Sequence, residues 1–149
     1  MSDVARRRIA ALLLAAGVVL GVLALAGEGP FEDPGPTEED RVAAAVEDLY
    51  GAAAAGEYEP FCALLTDRAR RTLRANAAQL TGDDVACARA LELTLGEALE
   101  GSTVTVEEVS ISGQRARVAA RFTAPESRPE PRTVYLEQID GQWLVTDPG

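Results

Sequence analysis

TVTVEEVSISGQRARVAARF, residues 103–122, changes the rhythm of the chain. Before it, apolar residues recur three or four apart; within it they alternate, the period of a half-buried strand. Val104 and Val106 share one parity, while Val109 and Ile111 have the other, so Glu107 and Glu108 are read as a bulge or bend. Gly113 turns the chain. Ala116, Val118, Ala120 and Phe122 then alternate with Arg115, Arg117 and Arg121, one face apolar and the other charged. Downstream, residues 124–132 (APESRPEPR) read as a proline-rich loop and residues 133–139 as a third strand. Asp140-Gly141 is a two-residue hairpin turn. Residues 142–146 form the last strand, with Trp143 and Val145 on one face.

Upstream the signals are helical. Thr37 is a capping residue followed by Glu38, Glu39 and Asp40, where the helix dipole favours negative charge. Val42, Val46, Leu49, Tyr50 and Ala53 form one stripe, and Gly56 ends the helix. Pro60 suits the first turn of a short helix carrying Phe61, Cys62, Leu64 and Leu65. Thr66-Asp67 opens a third helix ending near Gly82. Asp83 or Asp84 is expected to cap a fourth, with Val85, Ala88, Leu91, Leu95 and Ala98 on its inner face. Helices followed by an antiparallel meander predict an α+β domain with helices packed on one face of a curved sheet.

At the other end of the chain, residues 9–27 contain no charge and directly follow Arg6, Arg7 and Arg8. At 1.5 Å per residue such a helix just covers a hydrocarbon core of about 30 Å. Arginines beside an apolar span stay cytoplasmic. The expectation is a cytoplasmic tail at 1–8, a transmembrane anchor at 9–27, a Pro/Gly/acidic linker at 28–36 and an extracytoplasmic domain at 37–149. Ala24-Leu25-Ala26 fits the small-x-small pattern of signal cleavage, so a secreted protein is the alternative.

Composition excludes several chemistries. There is no histidine and no lysine; all 14 basic residues are arginine. Ser-His-Asp catalysis, Schiff bases, histidine-ligated zinc and the P-loop lysine are therefore absent. A net charge of -10 repels phosphate backbones, which argues against nucleic acid. The acidic pairs fit helix caps and lack the alternating oxygen spacing of a calcium loop, so no metal and no cofactor is assigned. The arginine and alanine bias suggests a GC-rich, actinobacterial genome. Cys62 and Cys87 are the only cysteines; in an exported domain they are expected to pair, with two buried free thiols as the alternative.

Several runs together resemble the nuclear transport factor 2-like superfamily, which includes ketosteroid-isomerase-like and SnoaL-like proteins. They are residues 47–50 (EDLY), 55–58 (AGEY) and 61–66 (FCALLT), then 109–118 (VSISGQRARV), 134–136 (VYL) and 140–145 (DGQWLV). The paired motifs C-A-L-L-T and C-A-R-A-L with a closing G-x-W-x-V are similar to actinobacterial secreted or membrane-anchored members whose two cysteines pair. The resemblance implies a cone-shaped fold, a strongly bent sheet wrapped by helices around a cavity, often dimerising through the sheet. Tyr50, Phe122 and Trp143 are then the cavity candidates. Tyr50 stands where the isomerases carry a tyrosine, but residues 66–70 read as helix, not as the strand bearing a base. No acid matches the later sheet at Val134, Leu136 or Gln138. With no catalytic residue assigned, the expected function is a non-enzymatic, membrane-tethered module binding a protein, a lipid or a small apolar ligand. The alternatives are an isomerase or cyclase acting on an apolar ring and a structural subunit of a membrane complex.

Overall fold

A computed structural model describes residues 35–149, of which Pro36–Gly149 form one unit. The expected tail at 1–8, the span at 9–27 and nearly all of the linker at 28–36 lie outside the described residues. Among the described residues no helix is long and apolar enough to cross a membrane.

Helix α1 spans Glu38–Ala54. Thr37 closes a capping box: its Oγ1 accepts from Asp40 N at 3.2 Å and its own N–H donates to Asp40 Oδ2 at 2.8 Å. The Thr37 N–H and, second to it, the Thr37 hydroxyl both donate to Asp40 Oδ2 and hold that carboxyl below its ordinary pKa. The buried stripe is the expected one with Ala45 added. Gly56 at φ 72° ends the helix in the left-handed region.

Helix α2 is Tyr58–Ala63 and α3 is Asp67–Thr81, capped by Thr66, whose buried Oγ1 accepts from Ala69 N at 3.2 Å. Helix α4, Cys87–Leu99, starts later than expected. Its N-cap is Ala86, with no side-chain cap, rather than Asp83 or Asp84. The reason is competition. Both Asp84 carboxylate oxygens accept from Arg74 Nη2 at 2.7 Å, and Arg74 Nε donates to Val85 O at 3.0 Å. The segment is thus fastened to α3 before α4 begins. The inner face of α4 is also rotated: Ala90, Leu91 and Leu99 are buried, whereas Leu95 is 40% exposed.

Strands β1 (Thr103–Ser112), β2 (Arg115–Thr123), β3 (Glu130–Ile139) and β4 (Gln142–Asp147) form an open antiparallel sheet in that order. The register of β1 on β2 shifts between Val106 and Glu108, where the parity change placed a bulge. The turn at Asp140 (φ 51°) and Gly141 (φ 81°) joins Ile139 to Gln142 as expected. Strand β3 begins three residues before its expected start at Thr133. Pro131 sits in it opposite Arg121, and β4 pairs only from Tyr135 onward, so no ladder bond is asked of the missing proline N–H.

Helix α1 packs over β1 and β4, and α4 packs on α3 and α2. Their apolar sides meet Ala116, Val118, Ala120, Phe122, Val134, Leu136, Trp143 and Val145 from one face of the sheet. The other face is exposed and carries Arg115, Arg117, Arg121 and Tyr135. The outer edge of β4 is covered by the link between α2 and α3: Val145 N donates to Leu64 O at 2.8 Å, and Thr66 N to Val145 O at 2.9 Å. Cys62 and Cys87 form a disulfide with Cα atoms 6.1 Å apart, joining α2 to the first residue of α4.

Candidate functional site

Two of the spaces among the described residues adjoin the core. The smaller is a pocket of about 110 Å³ lined by Tyr50 of α1, Phe61 of α2, Leu95, Ala98 and Leu99 of α4, Phe122 of β2, Arg132 of β3, and Pro148-Gly149. The larger is a half-open groove of about 940 Å³ along α3, α4 and the sheet, whose lining includes Leu73, Leu91, Arg68, Arg115, Tyr135 and Asp147. Phe61, Leu95 and Pro148 line both and so stand at the partition.

Tyr50 falls on the buried stripe of α1 because it is one helical turn past Val46. Its ring centroid lies 5.5 Å from that of Phe122, tilted by 49°, an edge-biased aromatic contact. Its hydroxyl donates to Pro148 O across 98 residues of sequence. Arg132 lies with its guanidinium carbon 5.5 Å from the centroid of the Phe122 ring, and its Nη1 donates to Gly149 O at 2.8 Å. The pocket is therefore apolar in its walls with two hydrogen-bond donors at one end. Both donors are engaged, Tyr50 by the Pro148 carbonyl and Arg132 by the Gly149 oxygen.

Burial pushes the Tyr50 phenol above its ordinary pKa; the Arg132 charge opposes this more than the Asp147 charge adds to it. The folded pKa is raised, so the contribution of Tyr50 to stability is intact below pH about 10 and is lost as pH climbs through the raised value. The chain has three tyrosines. In an absorbance titration of phenolate, Tyr50→Phe removes the most alkaline step and leaves the rest. If the highest-pH step survives in that variant, burial at Tyr50 is not its origin.

The expected cavity residues separate. Tyr50 and Phe122 line the pocket together. Trp143 lines neither space: it is core, and its Nε1 donates to Glu38 Oε2 at 3.0 Å near the start of α1. Arg132, Pro148 and Gly149 escape the sequence reading, the first because residues 124–132 read as a loop. Continuing the alternation back from Leu136 and Val134 would have put Arg132 on the inner face. Among the described residues no group of three or more potential ligands is arranged to hold a metal ion.

No protein-family model matches the sequence, and no curated protein matches it. Solved structures do. A variant designated Rd1NTF2_05 aligns over 73% of this chain and 95% of its own with a TM-score of 0.50 at 15% identity. A chain from Jannaschia sp. CCS1, described as a SnoaL-like polyketide cyclase, aligns over 78% of this chain and 87% of its own (TM-score 0.45, 19% identity). One from Kribbella flavida, described as a ketosteroid isomerase, covers 74% and 78% (TM-score 0.43, 20% identity). At such identities the likeness is one of fold alone: the chain has the nuclear transport factor 2-like architecture.

Proposed function

We propose that this chain is a non-enzymatic extracytoplasmic binding module, tethered to the membrane by residues 9–27, that takes a small apolar ligand into the pocket beside Tyr50. The observation behind this reading is the pocket itself. It has apolar and aromatic walls, two convergent donors in Tyr50 and Arg132, and no Asp or Glu side chain among its described lining residues. An apolar body fills the walls, and a polar end would meet the donors in place of the Pro148 and Gly149 oxygens that they hold. The address comes from the uncharged run after Arg6, Arg7 and Arg8, and the arginine-only basic set fits an actinobacterial source. Two copies pairing through the exposed sheet face would leave the pocket free, since the pocket lies on the helical side of the sheet.

The alternative, an isomerase or cyclase, draws on the buried phenol and on Asp147, the carboxylate whose charge reaches it. Asp147 lines the groove rather than the Tyr50 pocket, and its Oδ1 accepts from Gly149 N at 3.0 Å. A base so placed is engaged with backbone and stands outside the chamber of the phenol.

Native mass spectrometry of the chain released from its host membrane tests the reading. A copurifying small molecule that is lost from a Phe122→Trp variant, which fills the pocket, supports it. A chain that carries no ligand, alongside turnover of an apolar ring substrate that stops with Asp147→Asn, moves the assignment to the enzyme.

A further inference from the structure

The sheet has two edges, and the chain treats them differently. The outer edge of β4 is covered by the link between α2 and α3. Strand β1 is outermost on the other side, and among the described residues no backbone hydrogen bond from outside the sheet reaches it. This edge is blunted at one point. The register shifts between Val106 and Glu108, and Glu107 is fastened to β2, its Oε1 accepting from Arg121 Nε at 2.8 Å. The bulge divides the strand into two halves. Helix α1 crosses the sheet diagonally. It starts at the β3–β4 hairpin, where Glu38 Oε2 accepts from Trp143 Nε1, and ends where Ala54 O accepts from Gly101 N, two residues before β1. Residues 108–112 therefore lie at the corner that the helix leaves. Val109 and Ile111 are half-buried there, while Val118 and Ala116 opposite them on β2 are buried. Residues 109–112 (VSIS) hold no charge and no proline to deter a further strand.

We propose that residues 108–112 are a self-pairing edge: they bind the same five residues of a second copy of this chain, antiparallel, about a two-fold axis at Ser110. This inference is independent of the pocket. It joins the two sheets edge to edge rather than stacking their faces. The run EVSIS is complementary to itself in that register. Val109 meets Ile111 of the second copy on the inner, apolar side, and Ser110 meets Ser110 on the outer side. Glu108 meets Ser112 instead of another acid. Pairing all of β1 with its own copy would set Glu107 against Glu108, and like charges directly opposite are destabilising. The charges on the outer face agree with the shorter register. Ser112 is paired with Arg115 of β2, so Glu108 of one copy stands two strand spacings, about 10 Å, from Arg115 of the other, across a small serine. Two long side chains can close that gap, and symmetry makes the contact twice. Among the described residues Arg115 is in no ion pair within one copy. Five residues a side is far fewer than the roughly 20 to 30 of a stable interface, so the pairing is weak and depends on concentration.

The test is thiol cross-linking of the full chain in detergent micelles with a short bismaleimide. Cys62 and Cys87 are bonded to each other, so each variant carries one free thiol. Ser110→Cys is expected to give a covalent dimer, because directly opposite Cβ atoms are only about 4.5 to 5.5 Å apart. Thr105→Cys, in the other half of β1, and Ala119→Cys, in the middle of the outer face, are expected to stay monomeric. A dimer from Thr105→Cys alone overturns the register, and one from Ala119→Cys alone replaces the edge by the face. Equal yields at all three positions mean random collision and overturn the proposal, as does no dimer at any. Charge reversal gives a second readout in sedimentation of a dilution series. Glu108→Arg and Arg115→Glu each weaken association roughly tenfold, since each alters two pairs per dimer. The double variant recovers the wild-type value. If it is as weak as either single variant, the Glu108–Arg115 contact, and with it the Ser110 axis, is wrong.

Discussion

Replacing both Cys62 and Cys87 by alanine lowers the stability of the domain by roughly 3 to 4 kcal/mol. The cysteines are 25 residues apart in sequence, and closing a loop of that length removes about this much entropy from the unfolded chain at room temperature. The site of the bond makes a large effect reasonable. Helix α4 begins at Cys87 without a side-chain cap, so the disulfide holds its first residue, and Arg74 holds only the segment just before it. Cys62 is buried and its carbonyl accepts from Arg70 Nη1 at 3.0 Å, so the α2 end of the bond is rigid. Thermal unfolding with and without reductant measures the effect. A loss of 3 kcal/mol corresponds to a fall of roughly 10 °C in Tm for a domain of this size. An unchanged Tm under reductant would falsify the contribution. The pocket should loosen in parallel. Phe61 precedes Cys62, and Leu95 stands two turns after Cys87 on α4, and both line the pocket.

Phe122→Ala costs about 3 kcal/mol, the low end of the range for truncating a buried aromatic. The low end applies because one side of the ring already faces the pocket and lacks packed neighbours there. The remaining sides are filled: the ring is 7% exposed, touches Tyr50 at 5.5 Å between centroids and lies 5.5 Å below the Arg132 guanidinium carbon. Removing it deprives Arg132 of its aromatic platform and joins the ring volume to the pocket. Apolar cavities of this kind stay dry and accept benzene. Urea unfolding of the variant should therefore show the loss, and saturating benzene should restore more stability to Phe122→Ala than to the wild type. Equal stabilisation of both proteins would mean that the neighbours collapse into the space.

Several elements were legible because their causes are local. Thr37 and Asp40 cap α1 within four residues of each other. The change of parity around Glu107 became the register shift, and Asp140-Gly141 became the two-residue turn. The mistakes also have local signals that longer-range contacts overrode. Asp84 is a fair helix cap in isolation, but Arg74, ten residues upstream, holds it instead. The stretch 130–132 looks like a loop because of its prolines, yet β2 pairs with it and makes it strand.

The candidate site divides along the same line. Helix caps, hairpin turns, strand alternation and the inward side of Tyr50 follow from residues a few positions apart, because backbone hydrogen bonds and side-chain periodicity act over that range. Alternation likewise placed Phe122 on the inner face before any partner was known. The rest arose only when the chain closed. Arg132 meets Phe122 through the β2–β3 pairing, and Pro148 meets Tyr50 across 98 residues. Trp143 turned toward Glu38 rather than the pocket because the start of α1 crosses the last hairpin there. Hydrophobic burial brings such distant groups together without regard to their order in sequence, so no local pattern could announce which of them would share a cavity.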